Sequence, residues 1–478
     1  MKSHSSWRSK CHYRTLDPRI RKKQRRQEEE GAASRSEATL IKNKKKKKKH
    51  RSSDRETRRK SRNEGEEYDR TSERSEAPPT TSIKRKNESS DRGGKKKSRT
   101  EREWHGRKWV CSPRDCSDYK DGFVIVSYNI LGVENASNHQ DLYSQIQSKY
   151  LNWNRRKKLI REELQIYKPS ILCFQEVDRF DDLANILEED GYKGVFKGRT
   201  GDACDGCAIF WQEKQFTILQ QENIEFQKFG LRNNVAQLCV LKMNLNHSSN
   251  SKSKGANPPI TLTAAASRTL LVGNIHVLFN PNRGDIKLGQ IRMFLEKAHA
   301  LSQECGNIPI VLAGDLNSVP QSAIYQFLAS SELDILMHDR RNISGQTVYP
   351  SRRKYFDPQT EAIVRWSEEE LRLAAGISGC THLQHHLKLC SAYLGVPGNC
   401  YTRDSSGEPS ATSYHSKFMG TVDYIWHSEE LVPVKVVETL PVSNLKKLQG
   451  LPSENWGSDH LALVCELAFA DDCNKTSS

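Results

Sequence analysis

Long apolar runs are missing from the 478-residue sequence, and none approaches the roughly 20 residues that a membrane-spanning helix needs. The first residues, Met1 to Arg14, are basic and serine-bearing and contain no apolar core of the kind found in secretory signals. These absences predict a protein without a membrane segment that acts in the nucleus, the cytoplasm or both. A basic, serine-bearing N-terminus also leaves organellar import open as an alternative.

The 13 cysteines are dispersed along the chain and odd in number, a pattern typical of free thiols rather than of a disulfide framework. Cys204-x-x-Cys207 has no second Cys or His pair nearby, whereas a structural zinc site normally requires four ligands. We therefore expect neither a disulfide-stabilised domain nor a structural zinc ion.

Several catalytic signatures are also missing. The chain has no Gly-Lys-Ser/Thr phosphate loop of a nucleoside triphosphatase and no Gly-x-Ser-x-Gly nucleophile elbow. It shows no internal repeat and no leucine-rich array before the globular part. The chemistry must therefore come from groups that are far apart in the sequence.

Positive charge is abundant but is confined to the N-terminal part. Residues 1–100 hold 34 Lys+Arg and 15 Asp+Glu, a net +19, whereas the remaining residues hold 75 − 34 = 41 and 59 − 15 = 44, a net −3. Lys44 to Lys49 are unbroken, and apolar residues between the basic runs occur singly. Such a stretch cannot bury enough surface to offset the entropy of ordering, so we predict a disordered basic tail over residues 1–110.

Basic runs of this kind suit nuclear import or loose binding to phosphate backbones. A solvated tail without a specific partner is the alternative, since charge blocks are commonly only disordered. The sequence does not choose between an import signal and an RNA contact.

From Phe123 onward the pattern is globular, and strands alternate with helices between residues 121 and 470. Asn152–Lys168 predicts an amphipathic helix that Pro169 ends, and Ile286–Ser302 predicts another. A Ser/Lys/Gly-rich loop at Asn246–Pro259 interrupts the pattern. Strand pairs are frequent as well, which indicates an α/β or α+β domain with mixed sheets. The predicted strands are Phe123–Leu131, Ser170–Val177, Ala208–Trp211, Ala236–Met243, Thr269–Phe279, Pro309–Ala313, Val422–Trp426 and Leu461–Ala468.

Polar residues stand at one end of several of these strands. Asp315 and Asn317 point to the same side of their strand because side chains alternate. Burying a lone carboxylate in a core is costly, so we expect these strand ends to converge on one polar crevice. A capped turn explains any one Asn or Asp alone, but Glu176 and His276 are poor turn formers. The strand-end residues are Asn129, Glu176, His276, Asp315, Asn317, Asp459 and His460.

The contents of the crevice indicate a reaction class. Carboxylate and amide oxygens are hard ligands suited to Mg²⁺, with Mn²⁺ as an alternative. Two histidines can bind phosphate or stabilise charge at a scissile phosphorus. Metal-assisted hydrolysis of a phosphate ester fits this set best.

An ordered set of motifs across residues 121–470 resembles the endonuclease/exonuclease/phosphatase superfamily. It is most similar to the branch of carbon catabolite repressor protein 4 homologues, of the plant type without leucine-rich repeats. The resemblance implies an α/β fold, a four-layered sandwich of two mixed β-sheets flanked by helices. The motifs are SYNIL (Ser127–Leu131), LCFQEV (Leu172–Val177), DGCAIF (Asp205–Phe210), NIHVLFNP (Asn274–Pro281), DIKLGQ (Asp285–Gln290), GDLNSVP (Gly314–Pro320), GTVDYIW (Gly420–Trp426) and SDHLAL (Ser458–Leu463).

The same resemblance implies catalytic roles. Glu176 is expected to be a principal Mg²⁺ ligand with Asn129 beside it, and Asp459 to complete the metal site. Asp315 is expected to activate the attacking water or to bind a second metal ion. His460, oriented by Asp423, is expected to stabilise the charge that develops on phosphorus.

Substrate contacts follow from the resemblance as well. Asn317 and His276 are expected to hold the phosphate, and His276 also counts among the catalytic residues. Phe418 stands where the family stacks an adenine, although a core aromatic is the alternative. The full expected substrate-binding set is Asn234, His276, Pro281, Asn317, Ser413 and Phe418.

The chain departs from the family in two places. Family members that act on poly(A) carry Asn five residues before that Phe, within a Tyr-Thr-Asn-type stretch, whereas this chain has Ser413 there and Ala411 at the aromatic position. A hydroxyl cannot replace both faces of an amide, so adenine preference is less secure than phosphodiester hydrolysis. The leucine-rich segment that docks the yeast-type enzyme into its deadenylase complex is also missing, which puts membership of that complex in doubt.

Three hypotheses follow. The first is a Mg²⁺-dependent 3′→5′ exoribonuclease that removes poly(A) tails from mRNA. The second keeps the site and changes the substrate to a nucleotide-cofactor phosphate or an RNA-end phosphate. The third is a non-catalytic RNA-binding adaptor, motivated by the basic tail.

Overall fold

The structure is a computed structural model. The predicted tail lies outside the described residues up to residue 104, and the predicted loop at Asn246–Pro259 lies outside them altogether. The described residues are 105–115, 119, 121–244, 268–346 and 366–470.

Two sheets contain most of the strands. In chain order the strands are β1 (Trp109–Cys111), β2 (Phe123–Asn129), β3 (Ile171–Gln175), β4 (Tyr192–Gly198), β5 (Gly206–Gln212), β6 (Phe216–Glu225), β7 (Val235–Met243), β8 (Thr269–His276), β9 (Ile310–Asp315), β10 (Glu332–Asp334), β11 (His382–Gln384), β12 (Leu389–Ser391), β13 (Ser413–His415), β14 (Phe418–Gly420), β15 (Asp423–Ser428), β16 (Leu431–Val437) and β17 (Leu463–Phe469).

Both large sheets are mixed. Among the described residues, one sheet has seven strands in the order β1-β16-β17-β2-β3-β5-β4, and the other has six in the order β12-β15-β9-β8-β7-β6. Each contains one parallel pair, β2 with β3 and β8 with β9, between antiparallel neighbours. Two small hairpin-like sheets, β10-β11 and β13-β14, lie outside them. A parallel pair needs a crossover, and the helices supply it.

Eight α-helices lie within the described residues. They are α1 (Val133–Asn138), α2 (Ser148–Leu151), α3 (Trp153–Tyr167), α4 (Phe180–Glu189), α5 (Gly284–Glu304), α6 (Ala323–Ser330), α7 (Glu368–Ala375) and α8 (Val442–Leu445), with 3-10 turns at Phe226–Phe229, Ile335–Met337 and Arg340–Asn342.

Three buried clusters give the molecule four layers. The central cluster joins the inner faces of the two sheets, with Ile125 and Ile171 from one sheet against Val272 and Val311 from the other. A second cluster packs α5, α6 and α7 on the six-stranded sheet, and a third packs α3 and α4 on the seven-stranded sheet. The expected sandwich of two mixed sheets flanked by helices is therefore confirmed.

Helix α3 shows why the sequence pattern predicts this fold well. The side chain of Asn152 caps its N-terminus by accepting a hydrogen bond from the Arg155 backbone N–H. Ile160 and Leu164 are buried on one face. Lys168 ends the helix in a left-handed conformation, φ 48°, directly before Pro169. The predicted and observed bounds differ by one residue at each end.

A polar bridge joins the two sheets at the end where the site lies. Asn274 on β8 donates from Nδ2 to the carbonyls of Phe174 and Ala208, at 2.9 and 3.0 Å. Its Oδ1 accepts from Nε2 of Gln175 at 2.8 Å. Both side chains are fully buried. Because buried polar groups must be paired, this bridge favours one registration of the sheets.

The folded part begins before residue 121, and the predicted tail is too long at its C-terminal end. Strand β1 pairs with β16, and Arg107 is completely buried. Arg107 donates to Oε1 of Glu163 at 2.7 Å and to the carbonyls of Glu438 and Ala462. Three residues of strand carry no readable alternation, so this segment folds through tertiary pairing that its own sequence does not reveal.

The structure also bears on the membrane segment and the disulfide framework that the sequence was expected to lack. No helix within the described residues is long and apolar enough to cross a membrane. The cysteines of the described ranges are unbridged, with Cys204 exposed and Cys207 buried.

Candidate active site

Strand registers bring three of the expected residues side by side. In the six-stranded sheet, His276 on β8 pairs in register with Asp315 on β9, and Asp315 pairs with Asp423 on β15. Gly314, at φ 150°, precedes Asp315, and a Cβ atom there would lie 2.0 Å from the Ile275 carbonyl oxygen. Glycine therefore allows β9 to approach β8 closely enough for this alignment.

Asn129, from the end of β2 in the other sheet, completes the junction. Its Nδ2 donates to Oε1 of Glu176 at 3.0 Å and to Oδ2 of Asp315 at 3.1 Å. Its Oδ1 accepts from the Leu131 backbone N–H at 3.0 Å. Asn129 was expected to be a metal ligand, and in this arrangement its amide lies between two carboxylates and holds them beside each other.

Glu176 lies in a turn rather than in a strand. Its φ is 57°, a left-handed conformation that is costly for a residue other than glycine. Oε2 accepts from the Gly132 backbone N–H at 3.0 Å and from Nδ2 of Asn135 at 2.8 Å. Neutral donors thus fix the carboxylate without neutralising its charge.

Asp315 is buried, 2% exposed, at the centre of the site. Burial, together with the charge of Asp423, raises the pKa of Asp315 to about 7. Its Oδ1 accepts from the Asn317 backbone N–H at 2.8 Å. A carboxyl group with a pKa near neutrality can exchange a proton with water at physiological pH.

His460 is charged by its neighbours. Its Nδ1 lies 2.8 Å from Oδ2 of Asp423, and its Nε2 lies 3.9 Å from Oδ2 of Asp315. Burial alone lowers the pKa of His460, but the charges of Asp423 and Asp459 and the hydrogen bond to Asp423 raise it well above the ordinary value. The imidazolium form is therefore favoured.

His276 and Asn317 form the opposite wall. Nδ2 of Asn317 donates to the Val277 carbonyl at 3.0 Å and lies 3.2 Å from Nε2 of His276. Nε2 of His276 is 3.5 Å from Oδ2 of Asp315. Burial lowers the pKa of His276 to about 4. Asn317, like Glu176, adopts a positive φ, 46°, which turns its side chain back toward the pocket.

The loop before β17 is held in place by hydrogen bonds at four consecutive residues, 457–460. Gly457 accepts from buried Arg156, and Ser458 Oγ donates to the Asn129 carbonyl at 2.7 Å. Oδ2 of Asp459 accepts from the hydroxyl of Tyr143 at 2.8 Å, and His460 follows. Asp459, expected to be a metal ligand, thus has one carboxylate oxygen engaged by a hydroxyl group, and its Oδ1 lies 3.4 Å from Ser458 Oγ.

One side of the pocket is formed by the β13-β14 hairpin. Phe418 opens β14 and is half-buried, and Ser413 opens β13 and forms a bridge with His460. Phe418 and Pro281 both line the pocket, as does Ser413. The core-aromatic alternative for Phe418 is disfavoured, because its ring is only half-buried and borders the pocket.

Asn234, expected to touch substrate, is placed elsewhere. It is 2% exposed and does not line the pocket. Its Nδ2 donates to the His276 carbonyl at 3.0 Å, and its Oδ1 accepts from Gln290 at 3.2 Å. Asn234 therefore supports the backbone of His276 from behind.

These groups surround one pocket of about 360 Å³. Asp423 and Asn129 lie behind its wall, and nine of the expected residues form the wall itself. Those nine are Glu176, His276, Pro281, Asp315, Asn317, Ser413, Phe418, Asp459 and His460.

Sequence reasoning missed several groups of the same pocket. Asn135 and Tyr143, which bind Glu176 and Asp459, lie in the region of α1 and the turn after it, where no strand end marked them. Arg199 and Phe279 line the wall beside His276. Phe279 lies within the NIHVLFNP motif, but nothing in the motif marks it as a pocket residue. Its 52% exposure, unusual for an aromatic side chain, is visible only in the structure.

The donor chemistry tests whether a divalent cation fits. Ligand atoms of Asp315, Asp423 and His460 lie within 4.8 Å of one another. His460 is an unsuitable ligand, because its Nδ1 is engaged by Asp423 and the imidazolium form has no free lone pair. The carboxylates of Glu176 and Asp315, bridged by the Asn129 amide, are hard oxygen donors that fit Mg²⁺ or Mn²⁺.

Comparison with known proteins gives matches along most of the chain. The model of the Endonuclease/Exonuclease/phosphatase family matches residues 126–460. Carbon catabolite repressor protein 4 homolog 5 of Arabidopsis thaliana is 58% identical over 376 residues, 77% of this chain and 81% of that protein. Homolog 3 from the same plant is 48% identical over 374 residues, 77% of this chain and 80% of that protein.

A solved structure is similar as well. The crystal structure of ANGEL2, described as a 2′,3′-cyclic phosphatase and bound to adenosine-2′,3′-vanadate, has a TM-score of 0.59 and 29% sequence identity. The similarity covers 76% of this chain and 98% of that one.

Proposed function

The chain belongs to the endonuclease/exonuclease/phosphatase family, among the carbon catabolite repressor protein 4 homologues, and we propose that it is a 3′→5′ exoribonuclease acting on poly(A) tails of mRNA. It is a hydrolase of the nuclease and phosphatase class. The finer assignment, RNA with a terminal adenylate run as substrate, is the proposal.

One observation carries the proposal. The buried carboxylate of Asp315 lies between His276 and His460, and Phe418 and Pro281 line the same pocket. A reaction centre for phosphorus and a slot for a base are thus next to each other. Stacking of a base on an aromatic ring contributes about 1–3 kcal/mol and needs no duplex.

The metal fits beside the carboxylates. Glu176 and Asp315, held together by the Asn129 amide, would hold a Mg²⁺ ion. When bound, the ion supplies Lewis-acid polarisation of a phosphoryl oxygen and offsets the negative charge of the site.

The chain's own residues account for the remaining chemistry. Asp315 would either share the ion with Glu176 or, free of it, accept a proton from the attacking water, while the leaving 3′ oxygen takes up a proton from solvent as its bond to phosphorus breaks. The amide of Asn317 orients the phosphate by donating to a non-bridging oxygen. The Nε2–H of His460, charged with the help of Asp423, stabilises the negative charge that develops on phosphorus.

The direct test uses 5′-labelled oligoadenylate with a free 3′ hydroxyl, in Mg²⁺ and in EDTA. We expect a ladder of products that shorten from the 3′ end in Mg²⁺ only, and no ladder with Asp315→Asn. An oligouridylate of the same length measures adenine preference. Absence of shortening by wild-type protein, or internal cleavage instead, contradicts the proposal.

A second candidate is a phosphatase on RNA ends. It is favoured by the similarity to the ANGEL2 structure and by Ser413, where poly(A)-specific relatives carry Asn. The same oligoadenylate ending in a 2′,3′-cyclic phosphate distinguishes the two. Loss of the cyclic phosphate at unchanged chain length supports the phosphatase, and a parallel arm with NADPH tests a cofactor phosphate.

A further inference from the structure

The DGCAIF motif supplies no group to the reaction centre, yet its first residue is buried beside it. Asp205 is 3% exposed. Its Oδ1 accepts from Nη1 of Arg199 at 3.2 Å, and the Asp205 carbonyl accepts from the Arg199 backbone N–H at 2.9 Å. The two ends of the segment 199–205 are therefore joined by a backbone hydrogen bond and by a side-chain ion pair.

A second partner fixes the arginine from the other side. Nη2 of Arg199 donates to Oδ1 of Asn233 at 2.7 Å. The backbone N–H of Thr200 donates to the Asn233 carbonyl at 3.1 Å. Arg199 is thus held in one orientation before any ligand arrives, which reduces the entropic cost of binding.

Arg199 lines the pocket on the side of His276. Its side chain is 22% exposed, and its Nε is buried without a partner. A guanidinium has five N–H donors. Asp205 and Asn233 each engage one, so the second hydrogens of Nη1 and Nη2 are the ones that a ligand in the pocket can reach. Electrostatics agree with this placement: burial lowers the pKa of His276, and the charges of Asp205 and Arg199 both act on it, Asp205 raising it and Arg199 lowering it.

Few Arg and Lys side chains line the pocket. Among the described residues that line the pocket, Arg199 and Lys417 are the Arg and Lys side chains. Lys417 is 61% exposed at the rim and is paired with Asp141. Arg199 is therefore the Arg or Lys side chain held within the wall, in addition to the His460 imidazolium, and a planar guanidinium matches phosphate oxygens better than an ammonium does. The lining carboxylates that such a cation offsets are Asp141, Glu176, Asp315 and Asp459.

We propose that Arg199 binds a phosphate oxyanion of the substrate next to His276, and that Asp205 and Asn233 position the guanidinium for this contact. The inference rests on the proposed function in that the substrate is a phosphate ester of RNA. The oxyanion is either a backbone phosphate or a phosphate at the 3′ end. Asp205, the first residue of DGCAIF, acts through Arg199 as a positioning residue.

The experiment separates binding from turnover. Fluorescence anisotropy in EDTA measures the Kd for two labelled oligoadenylates of one length, ending in a 3′ hydroxyl or a 3′ phosphate. Arg199→Met should raise the Kd about ten- to a hundredfold, the usual loss of a charged hydrogen bond. Arg199→Lys should recover part of it, and Asp205→Asn should weaken binding in the same direction. In Mg²⁺, KM should rise more than kcat falls.

The two sources of phosphate give different patterns. Weaker binding of both oligonucleotides assigns Arg199 to a backbone phosphate, and weaker binding of the 3′-phosphorylated one alone assigns it to a terminal phosphate. Arg161→Met is the matched control, because Arg161 is also held by an aspartate, Asp190, at 2.9 Å and 29% exposure but does not line the pocket. It should bind both as wild type does.

The proposal is overturned if Arg199→Met, with an unchanged melting temperature, binds both oligonucleotides as tightly as wild type. It is equally overturned if wild-type protein binds neither. Tight, Arg199-dependent binding without hydrolysis in Mg²⁺ would instead contradict the proposed function and leave the phosphate contact standing.

Discussion

Asn129 and Asp315 come from different sheets, and the Nδ2 of Asn129 donates to Oδ2 of Asp315 across 3.1 Å. The same nitrogen donates to Oε1 of Glu176. One amide therefore holds together two carboxylates that are 139 positions apart in the chain (315 − 176). Because like-charged carboxylates repel each other, we expect this contact to be needed for the metal site that we propose.

Removing that amide should weaken metal binding before it affects folding. Asn129→Ala leaves both carboxylates without their shared donor. We expect the Mg²⁺ concentration for half-maximal activity to rise by about 10- to 100-fold, as for other residues that orient metal ligands. Activity titrations with Mg²⁺ measure this. An unchanged Mg²⁺ dependence, with reduced activity at every concentration, would show that Asn129 acts otherwise.

Asp315→Asn and Glu176→Gln should each lower kcat by about 10²- to 10⁴-fold. The double variant should be little worse than either single one, since both residues serve one transition state. Single-turnover kinetics at saturating Mg²⁺ measure the losses. Asp181→Asn, an exposed carboxylate on α4, is the control and should behave as wild type. Independent, multiplicative losses would contradict a shared centre.

Asp423→Asn should make activity fall as the pH rises. The carboxylate of Asp423 helps to raise the pKa of His460. In its absence the pKa of His460 should fall, because burial opposes the charged form, so the variant loses the imidazolium at a pH where the wild-type protein still holds it. Profiles of kcat against pH test this, and parallel profiles for the two proteins would contradict it.

The same shift affects stability. Because the folded-state pKa of His460 is raised, its contribution to the free energy of unfolding is fully present below about pH 6.5 and is lost as the pH rises through the folded-state value. Urea unfolding at several pH values should show a smaller pH effect in Asp423→Asn.

Phe418→Ala should affect RNA and a small phosphodiester differently. Loss of one stacked base costs about 1–3 kcal/mol, which is about 5- to 150-fold in KM for oligoadenylate. Hydrolysis of bis(p-nitrophenyl) phosphate, which has no base, should change little. Phe229→Ala is the control, since Phe229 is 49% exposed and does not line the pocket. Equal losses on both substrates would assign Phe418 to the fold rather than to the base.

Arg107→Met should destabilise the protein by about 3–5 kcal/mol, because Glu163 remains buried without its partner. The double variant with Glu163→Gln should recover part of the loss. Urea unfolding measures both. A chain shortened to begin at Asp121 should be destabilised as well, and full stability of that chain would contradict the placement of Arg107.

The sequence predicts parts of the fold from local signals. β2, β3 and α3 match because their apolar runs and the Asn152 cap are such signals. β4 and β6 were missed and are both edge strands, and β6 has many exposed side chains. β16 and α6 were missed as well, although β16 is mostly buried and Ser322 caps α6. Edge strands form where a neighbour offers free backbone groups, which no local pattern shows.

The site residues, too, could be predicted where a local sequence signal marks them and not elsewhere. Strand-end residues such as Asp315 and His460 could be predicted, because a buried polar group after an apolar run is unusual. Asn234 was expected to contact the substrate, but it binds the His276 backbone carbonyl instead. The sequence does not distinguish an asparagine that supports the backbone from one that lines a pocket. Arg199 and Tyr143 could not be found, since their roles depend on loops that meet only in three dimensions.

The central claim, that distant strand ends form one metal centre, is tested most directly by Mn²⁺ titration followed by the electron paramagnetic resonance signal of the free ion. Wild-type protein should bind Mn²⁺, and Glu176→Gln should bind it at least about tenfold more weakly. Asp181→Asn should match wild type. Equal Mn²⁺ binding by wild type and Glu176→Gln would contradict the account.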